Sequence, residues 1–136
     1  MKDIKVALIE DDAAIVNMYV TRFNLTGGFN VQVANDGVKG LRLINTFGPD
    51  IILLDMMMPR MSGLETLARL RKLPHGEDYK VIALTNMKDV DTVSKIKLLH
   101  VSDYLVKAEH PPGEIVDKIY EIVGRHPVGL KQESNI

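Results

Sequence analysis

Apolar and polar positions alternate along the chain in short blocks. Ile4–Ile9 is apolar, β-branched and brief, and it ends at Glu10-Asp11-Asp12. That is the pattern of a strand buried on both faces. From Ala13 to Leu25, Val16, Val20 and Phe23 share one helical face, and Thr26-Gly27-Gly28 stops the helix. Phe29–Val33 predicts a second strand, and Asn35-Asp36-Gly37 a turn and cap. Val38, Leu41 and Ile44 set a helical stripe that ends at Gly48-Pro49. Asp50–Leu54 is the third strand and the most apolar.

Pro59 to Gly63 reads as a loop with Ser62 as helix cap. Leu64, Leu67 and Ala68 mark a helix that ends before Pro74, and Pro74-His75-Gly76-Glu77-Asp78 is a polar connection. Lys80–Leu84 is a fourth strand. Val90, Val93 and Ile96 or Lys97 mark a more polar helix, and Ser102–Val106 is a fifth strand. Pro111-Pro112-Gly113 opens a last helix with Ile115, Ile119, Ile122 and Val123 on its core face, closed by Gly124. Arg125–Ile136 is polar and patternless. The expected organisation is therefore one domain over 1–124 and a polar tail over 125–136.

Five β-α units in succession predict an α/β fold, a doubly wound parallel sheet with helices on both faces. No Walker pattern or Gly-x-Gly-x-x-Gly is present, so nucleotide-binding readings lose their main signal.

Ligands of open parallel sheets bind beyond the carboxyl ends of the strands. The first strand ends in Glu10-Asp11, the third in Asp55, the fourth in Thr85 and the fifth in Lys107. The second ends in Val33-Ala34-Asn35 and offers no charge or hydroxyl, which suits an edge position. Placing it beside the first strand gives the order 2-1-3-4-5 and brings the other four strand ends together. Three carboxylates in one pocket repel, and a hard cation relieves this; Mg²⁺ commonly takes one or two carboxylates plus a phosphate oxygen. A carboxylate beside Mg²⁺, flanked by a hydroxyl and an ammonium, is suited to accept a phosphoryl group. Each residue alone has a blander explanation: Asp11, Asp12 or Thr85 as a helix cap, Lys107 as a solvated lysine. Chemistry at four of five strand ends favours the shared pocket.

Charge and composition narrow the field. The chain has 136 residues and a formal net charge of −1, without the basic surplus of a direct nucleic-acid binder. Only seven aromatic residues are present, leaving little for base stacking. There is no cysteine, which excludes disulfides and thiol chemistry and makes a reducing cytoplasm the expected setting. No apolar run approaches the length of a membrane helix, and the N-terminus is too short and charged for a signal peptide.

The segments Val-Ala-Leu-Ile-Glu10-Asp11-Asp12, Ile-Ile-Leu-Leu-Asp55-Met-Met-Met-Pro59, Ser62-Gly63, Ala83-Leu84-Thr85 and Asp103-Tyr104-Leu-Val-Lys107 resemble the receiver domain of bacterial and archaeal response regulators. The resemblance covers about residues 3 to 124. It implies the flavodoxin-like order 2-1-3-4-5. It implies that Asp55 is the phosphoacceptor and that Asp11 ligates Mg²⁺ directly. Glu10 would act through metal-bound water, and the Met57 backbone carbonyl would add a ligand. Thr85 and Lys107 would hold the phosphoryl group, and Tyr104 would be an aromatic switch residue. The implied partners are a sensor histidine kinase or phosphotransfer protein and a downstream protein, with a homodimer left open. Because no effector unit follows Gly124 in this sequence, output is expected from surface binding.

Three departures from the family pattern stand out. Ala108 follows Lys107 where proline is usual, so a trans bond is expected there. Asn86 follows Thr85 where a small residue is usual. Leu99-His100-Val101-Ser102 replaces a glycine-containing turn. Asn86 near the pocket mouth would obstruct the in-line path or donate to a phosphoryl oxygen, predicting a long-lived phosphoryl-aspartate; the alternative is that it caps the helix beginning near Lys88. His75, His100, His110 and His126 have no ligand spacing, and Met56-Met57-Met58 reads as packing.

Two other functions compete. A receiver fold that no longer accepts phosphate would serve as a constitutive interaction domain, against which the intact Glu10, Asp11, Asp55, Thr85 and Lys107 argue. A phosphohydrolase of the haloacid dehalogenase type needs a second aspartate two residues after the nucleophile, where this chain has Met57.

Overall fold

A computed structural model of the chain describes residues 2–86, 90–107 and 109–125. The elements are β1 (Ile4–Ile9), α1 (Ala13–Thr26), β2 (Phe29–Ala34), α2 (Gly37–Phe47), β3 (Ile51–Asp55), α3 (Gly63–Arg71), β4 (Val81–Thr85), α4 (Val90–Leu98), β5 (Asp103–Val106) and α5 (Pro112–Val123), with a 3-10 turn at Gly76–Asp78. All strand pairs are parallel, in the order β2-β1-β3-β4-β5. The edge position expected for the second strand is the one found.

Strand periodicity divides the core into two layers. Val6, Leu8, Leu53, Ile82 and Leu84 point to one face, where Tyr19 and Phe23 of α1 and Ile115, Val116 and Ile119 of α5 cover them. Ala7, Ile9, Ile52, Leu54 and Ala83 point to the other, under Ile44 of α2, Leu67 and Leu70 of α3 and Ile96 of α4. Side chains alternate along a strand, so unbroken apolar runs such as Ile51–Leu54 serve both layers at once.

Several helical faces differ from the sequence-based expectation. On α2 the buried positions are Gly37, Gly40 and Ile44, whereas Val38 is exposed. Gly40 lies so close to the Ile9 side chain that a Cβ there would meet it at 2.7 Å; a tight approach of α2 to β1 displaces the stripe. On α1, Tyr19 is buried with Phe23, while Val16 and Val20 are only partly covered. On α5, Val116 and Tyr120 share the core with Ile115 and Ile119, and Ile122 and Val123 lie at its margin.

Caps hold the helix starts. Asp12 accepts from the Ala14 and Ile15 N–H groups, Asp36 from Lys39 and Ser62 from Glu65. Arg125, placed at the start of a free tail by its sequence, donates from its guanidinium to the Lys2 carbonyl at 2.7 Å. The rest of the expected tail, 126–136, with His126, lies outside the described residues, as do Met87, Lys88 and Ala108 with its expected trans bond. Among the described residues no helix is long and apolar enough to cross a membrane.

Candidate functional site

Register brings the chemistry together. Ile9 pairs with Leu54, so the next residues, Glu10 and Asp55, emerge side by side at the carboxyl edge. Asp55 pairs with Leu84 and Thr85 with Val106, which places Thr85 and Lys107 on the other side of Asp55. The Lys107 N–H donates to the Thr85 carbonyl at 2.7 Å and extends the ladder into the site.

Glu10, Asp11 and Asp55 each offer a carboxylate oxygen, and these atoms lie within 4.8 Å of one another. Glu10 and Asp55 are buried and Asp11 is exposed. The Lys107 ammonium stands between the buried pair, 2.6 Å from Glu10 Oε1 and 3.0 Å from Asp55 Oδ1. Its side chain is 8% exposed, so it is not a solvated surface lysine. Asp12 caps α1, which leaves Asp11 to face the cluster. Thr85 is buried at the end of β4.

The electrostatics follow from burial. Desolvation, with the neighbouring Asp55 carboxylate adding to it, pushes Glu10 up to about 7 from 4.5, against the pull of Lys107. Burial alone would lower Lys107, yet its hydrogen bonds to Glu10 and Asp55 and their charges raise it. Burial also pushes the Tyr19 hydroxyl up to about 12, and the Glu10 and Asp55 charges act in the same direction.

The acceptor loop is built to close tolerances. The Met57 N–H donates to Asp55 Oδ1 at 3.1 Å and fixes the carboxylate. The Met56 N–H donates to the Leu84 carbonyl at 2.9 Å. Gly63 packs on the loop backbone, where a Cβ would collide with the Asp55 carbonyl oxygen. The Met57 side chain is exposed, as its place in the loop requires.

Three carboxylates against one ammonium leave the cluster with a formal charge of −2. That donor set, all oxygen and partly open at Asp11, fits a hard divalent cation such as Mg²⁺. Tyr104 is half-buried against the α4 layer, with the Lys97 ammonium 5.7 Å from its ring centroid. Asn86 is exposed beside Thr85. His110 meets Glu114 at 2.6 Å and His75 lies 3.6 Å from Asp78; neither belongs to the cluster.

Sequence reasoning did not find Arg71. Its buried guanidinium donates to four backbone carbonyls, those of Gly76, Tyr79, Leu99 and His100, at 2.7 to 2.9 Å. His100, in the turn that lacks glycine, takes a positive φ of 59°. An arginine at the end of an amphipathic helix carries no local sign of such a role.

Residues 6–120 match the family model described as response regulator receiver domain. The regulator RpaA of Synechocystis, named as a DNA-binding dual master transcriptional regulator, is 32% identical over 76% of this chain and 42% of its own length. The response regulator MprA of Mycobacterium ulcerans is 37% identical over 60% of this chain and 34% of its own. The receiver domain of a Francisella response regulator superposes with a TM-score of 0.79 at 30% identity, covering 90% of this chain and 98% of that one. The chemotaxis regulator CheY4 of Vibrio cholerae, at 22% identity and a TM-score of 0.80, shares the fold over 89% of this chain and 99% of its own. The chain spans about half or less of the length of the curated relatives it matches.

Proposed function

The chain belongs to the response regulator receiver domain family, the signalling domain of two-component systems, and from that premise we propose that Asp55 accepts a phosphoryl group from a histidine kinase, a phosphotransfer protein or a small acyl phosphate. The observation that carries the proposal is the placement of the Lys107 ammonium 2.6 Å from Glu10 and 3.0 Å from Asp55, beside the third carboxylate of Asp11.

In this reading an Asp55 carboxylate oxygen attacks phosphorus. The P–N bond of a phosphohistidine, or the P–O bond of an acyl phosphate, breaks, and the leaving group departs with its electron pair. Lys107 is positioned to neutralise charge on the transferred group, and Thr85 to donate its hydroxyl to a phosphoryl oxygen. The Met57 N–H orients Asp55 before attack. Asp11, Asp55 and the Met57 carbonyl would hold Mg²⁺, with Glu10 acting through a metal-bound water; when bound, the ion supplies charge stabilisation to the phosphoryl oxygens. Lys107, bound to Glu10 and Asp55 before transfer, moves onto the phosphoryl group, and its root at the end of β5 carries the change towards Tyr104 and the α4-β5-α5 face. Output is then a changed protein-binding surface. The DNA binding named for relatives would belong to the parts of those longer proteins outside the receiver.

The test is intact mass after acetyl phosphate with and without Mg²⁺. One added phosphoryl mass, dependent on Mg²⁺ and absent in Asp55→Asn, is the expected result. Labelling that persists in Asp55→Asn overturns the assignment.

A further inference from the structure

Tyr19 of α1 is 1% exposed, and its Oη has no hydrogen-bond partner among the described residues. A leucine would fill the space without burying a polar atom, so the hydroxyl is a cost to the resting fold. Tyr19 lies in the core layer of Leu8, Leu53 and Leu105, the layer that α1 and α5 cover. Side chains alternate along a strand, so the residues two positions further on, Glu10, Asp55 and Lys107, belong to the same side of the sheet. The Glu10 N–H donates to the Ala34 carbonyl at 3.0 Å and the Lys107 N–H to the Thr85 carbonyl at 2.7 Å, which carries the strand geometry out to these residues. Helix α1 starts at Ala13, directly after the acidic run, and leads away from the cluster. Helical side chains lean towards the N-terminus of their own helix, so the Tyr19 ring leans back towards the carboxylates. The Glu10 and Asp55 charges act with burial to push the hydroxyl up to about 12, so it keeps its proton and remains a donor.

At rest neither carboxylate calls on that donor. Lys107 lies 2.6 Å from Glu10 Oε1 and 3.0 Å from Asp55 Oδ1, and the Asp12 N–H donates to Glu10 Oε2 at 3.2 Å. Phosphoryl transfer as proposed above draws Lys107 onto the phosphoryl group. Glu10, whose side chain is fully buried, then loses its cation and keeps only the Asp12 N–H. A buried carboxylate short of donors is costly, and a hydrogen bond from a neutral donor to a charged acceptor is among the stronger ones. We infer that Tyr19 is a positioning residue for the phosphorylated state: its O–H turns to donate to Glu10 as Lys107 leaves, and holds that carboxylate in place while Asp55 carries the phosphoryl group. The proton stays on Tyr19 and no covalent bond changes. The inference rests on the phosphoacceptor reading and adds to it a residue that touches neither the phosphoryl group nor the metal.

The test compares the parent with Tyr19→Phe, which removes the hydroxyl and keeps the ring, and uses beryllofluoride with Mg²⁺ as the probe of the phosphorylated state. Urea unfolding of the untreated protein should be no weaker in Tyr19→Phe, because the resting hydroxyl has no partner to lose. Beryllofluoride binding at saturating Mg²⁺, followed by amide shifts, should weaken about tenfold, the scale of one hydrogen bond to a charged acceptor. In a Glu10→Ala background the same substitution should change that affinity less than twofold. With tyrosine carrying ¹³C at Cζ, the signal missing from Tyr19→Phe should move downfield when beryllofluoride is added to the parent. Equal affinity in parent and Tyr19→Phe, the same loss in the Glu10→Ala background, or an unmoved Tyr19 signal overturns the inference. So does a Tyr19→Phe chain that is weaker to urea before any addition, since its hydroxyl then had a resting partner. A parent that binds no beryllofluoride overturns the phosphoacceptor reading and this inference with it, whereas a parent that binds it no better than Tyr19→Phe leaves that reading intact.

Discussion

Replacing Arg71 with methionine removes one guanidinium that ties the end of α3 to the nearby segment before β4 and to the distant turn before β5. It binds the carbonyls of Gly76 and Tyr79 before β4 and those of Leu99 and His100 before β5. Charged hydrogen bonds contribute about 1.5–3 kcal/mol each, but four of them do not simply add. Burial works against the cation, which is why the Arg71 pKa is lowered. Of the four bonds only that to Gly76 is fully buried; the other three carbonyls lie where water can reach once the side chain is gone. One stranded buried carbonyl costs about 1–3 kcal/mol, and partial loss at the other three brings the total to about 3 kcal/mol. For a domain of this size that is roughly 10 °C in Tm.

The loss should also be local. The Leu99 and His100 amides, bonded to Ile96 and Lys97 at 3.0 and 3.1 Å, and the Ser102 amide, bonded to Val81 at 2.8 Å, should exchange faster than amides of β1. Arg71→Lys should fall between parent and Arg71→Met, since one ammonium cannot span carbonyls on opposite sides of a planar fork. Urea unfolding followed by far-UV circular dichroism gives the global number and native-state hydrogen exchange the local one. A cost below about 0.5 kcal/mol for Arg71→Met, the range of ordinary surface substitutions, refutes the reasoning.

Three further outcomes are expected. Asp11→Ala should weaken Mg²⁺ binding strongly by calorimetric titration and Glu10→Ala less, because a ligand acting through water is more easily replaced; equal affinity for Asp11→Ala and parent would put the metal elsewhere. Glu10 titrates near 4.5 when unfolded and about 7 when folded. The stability this gives is complete below the lower value and is lost as pH rises through the higher one, so metal-free protein should weaken to urea between about pH 5 and pH 8; an undiminished fall in Glu10→Gln would assign it to another group. Asn86→Ala should lose its phosphoryl group faster than the parent in matched Mg²⁺, and unchanged or slower loss would leave Asn86 with no part in holding it.

The sequence was most legible where one physical cause acts on consecutive residues. Strands buried on both faces write themselves as unbroken apolar runs, and β1 lies where its run does, at Ile4–Ile9. The edge position of β2 was readable from the lack of chemistry at its end, because function concentrates where strands converge. Helical faces were less legible. Glycines at Gly37 and Gly40 let α2 approach the sheet and α3, and that contact, invisible in a hydropathy pattern, turned Val38 outward. The candidate site was readable as a set of strand ends, but its burial and charge balance were not. Nothing local to Lys107 reveals that two carboxylates from residues 52 and 97 positions away will enclose it.

That enclosure bears on how the domain would switch. The Lys107 ammonium is held between two buried carboxylates, 2.6 Å from Glu10 and 3.0 Å from Asp55. Converting the Asp55 carboxylate to an acyl phosphate would replace one carboxylate acceptor with a more highly charged group farther from the sheet. Lys107 would then gain by moving outward, and Glu10, already pushed up by burial, would be left with less opposing positive charge. Thr85 and Lys107 are tied through backbone at 2.7 Å, so a shift at either strains the β4–β5 edge and with it the Tyr104 side chain beneath Lys97. A differential of a few kcal/mol at the cluster suffices to repopulate two arrangements of that edge.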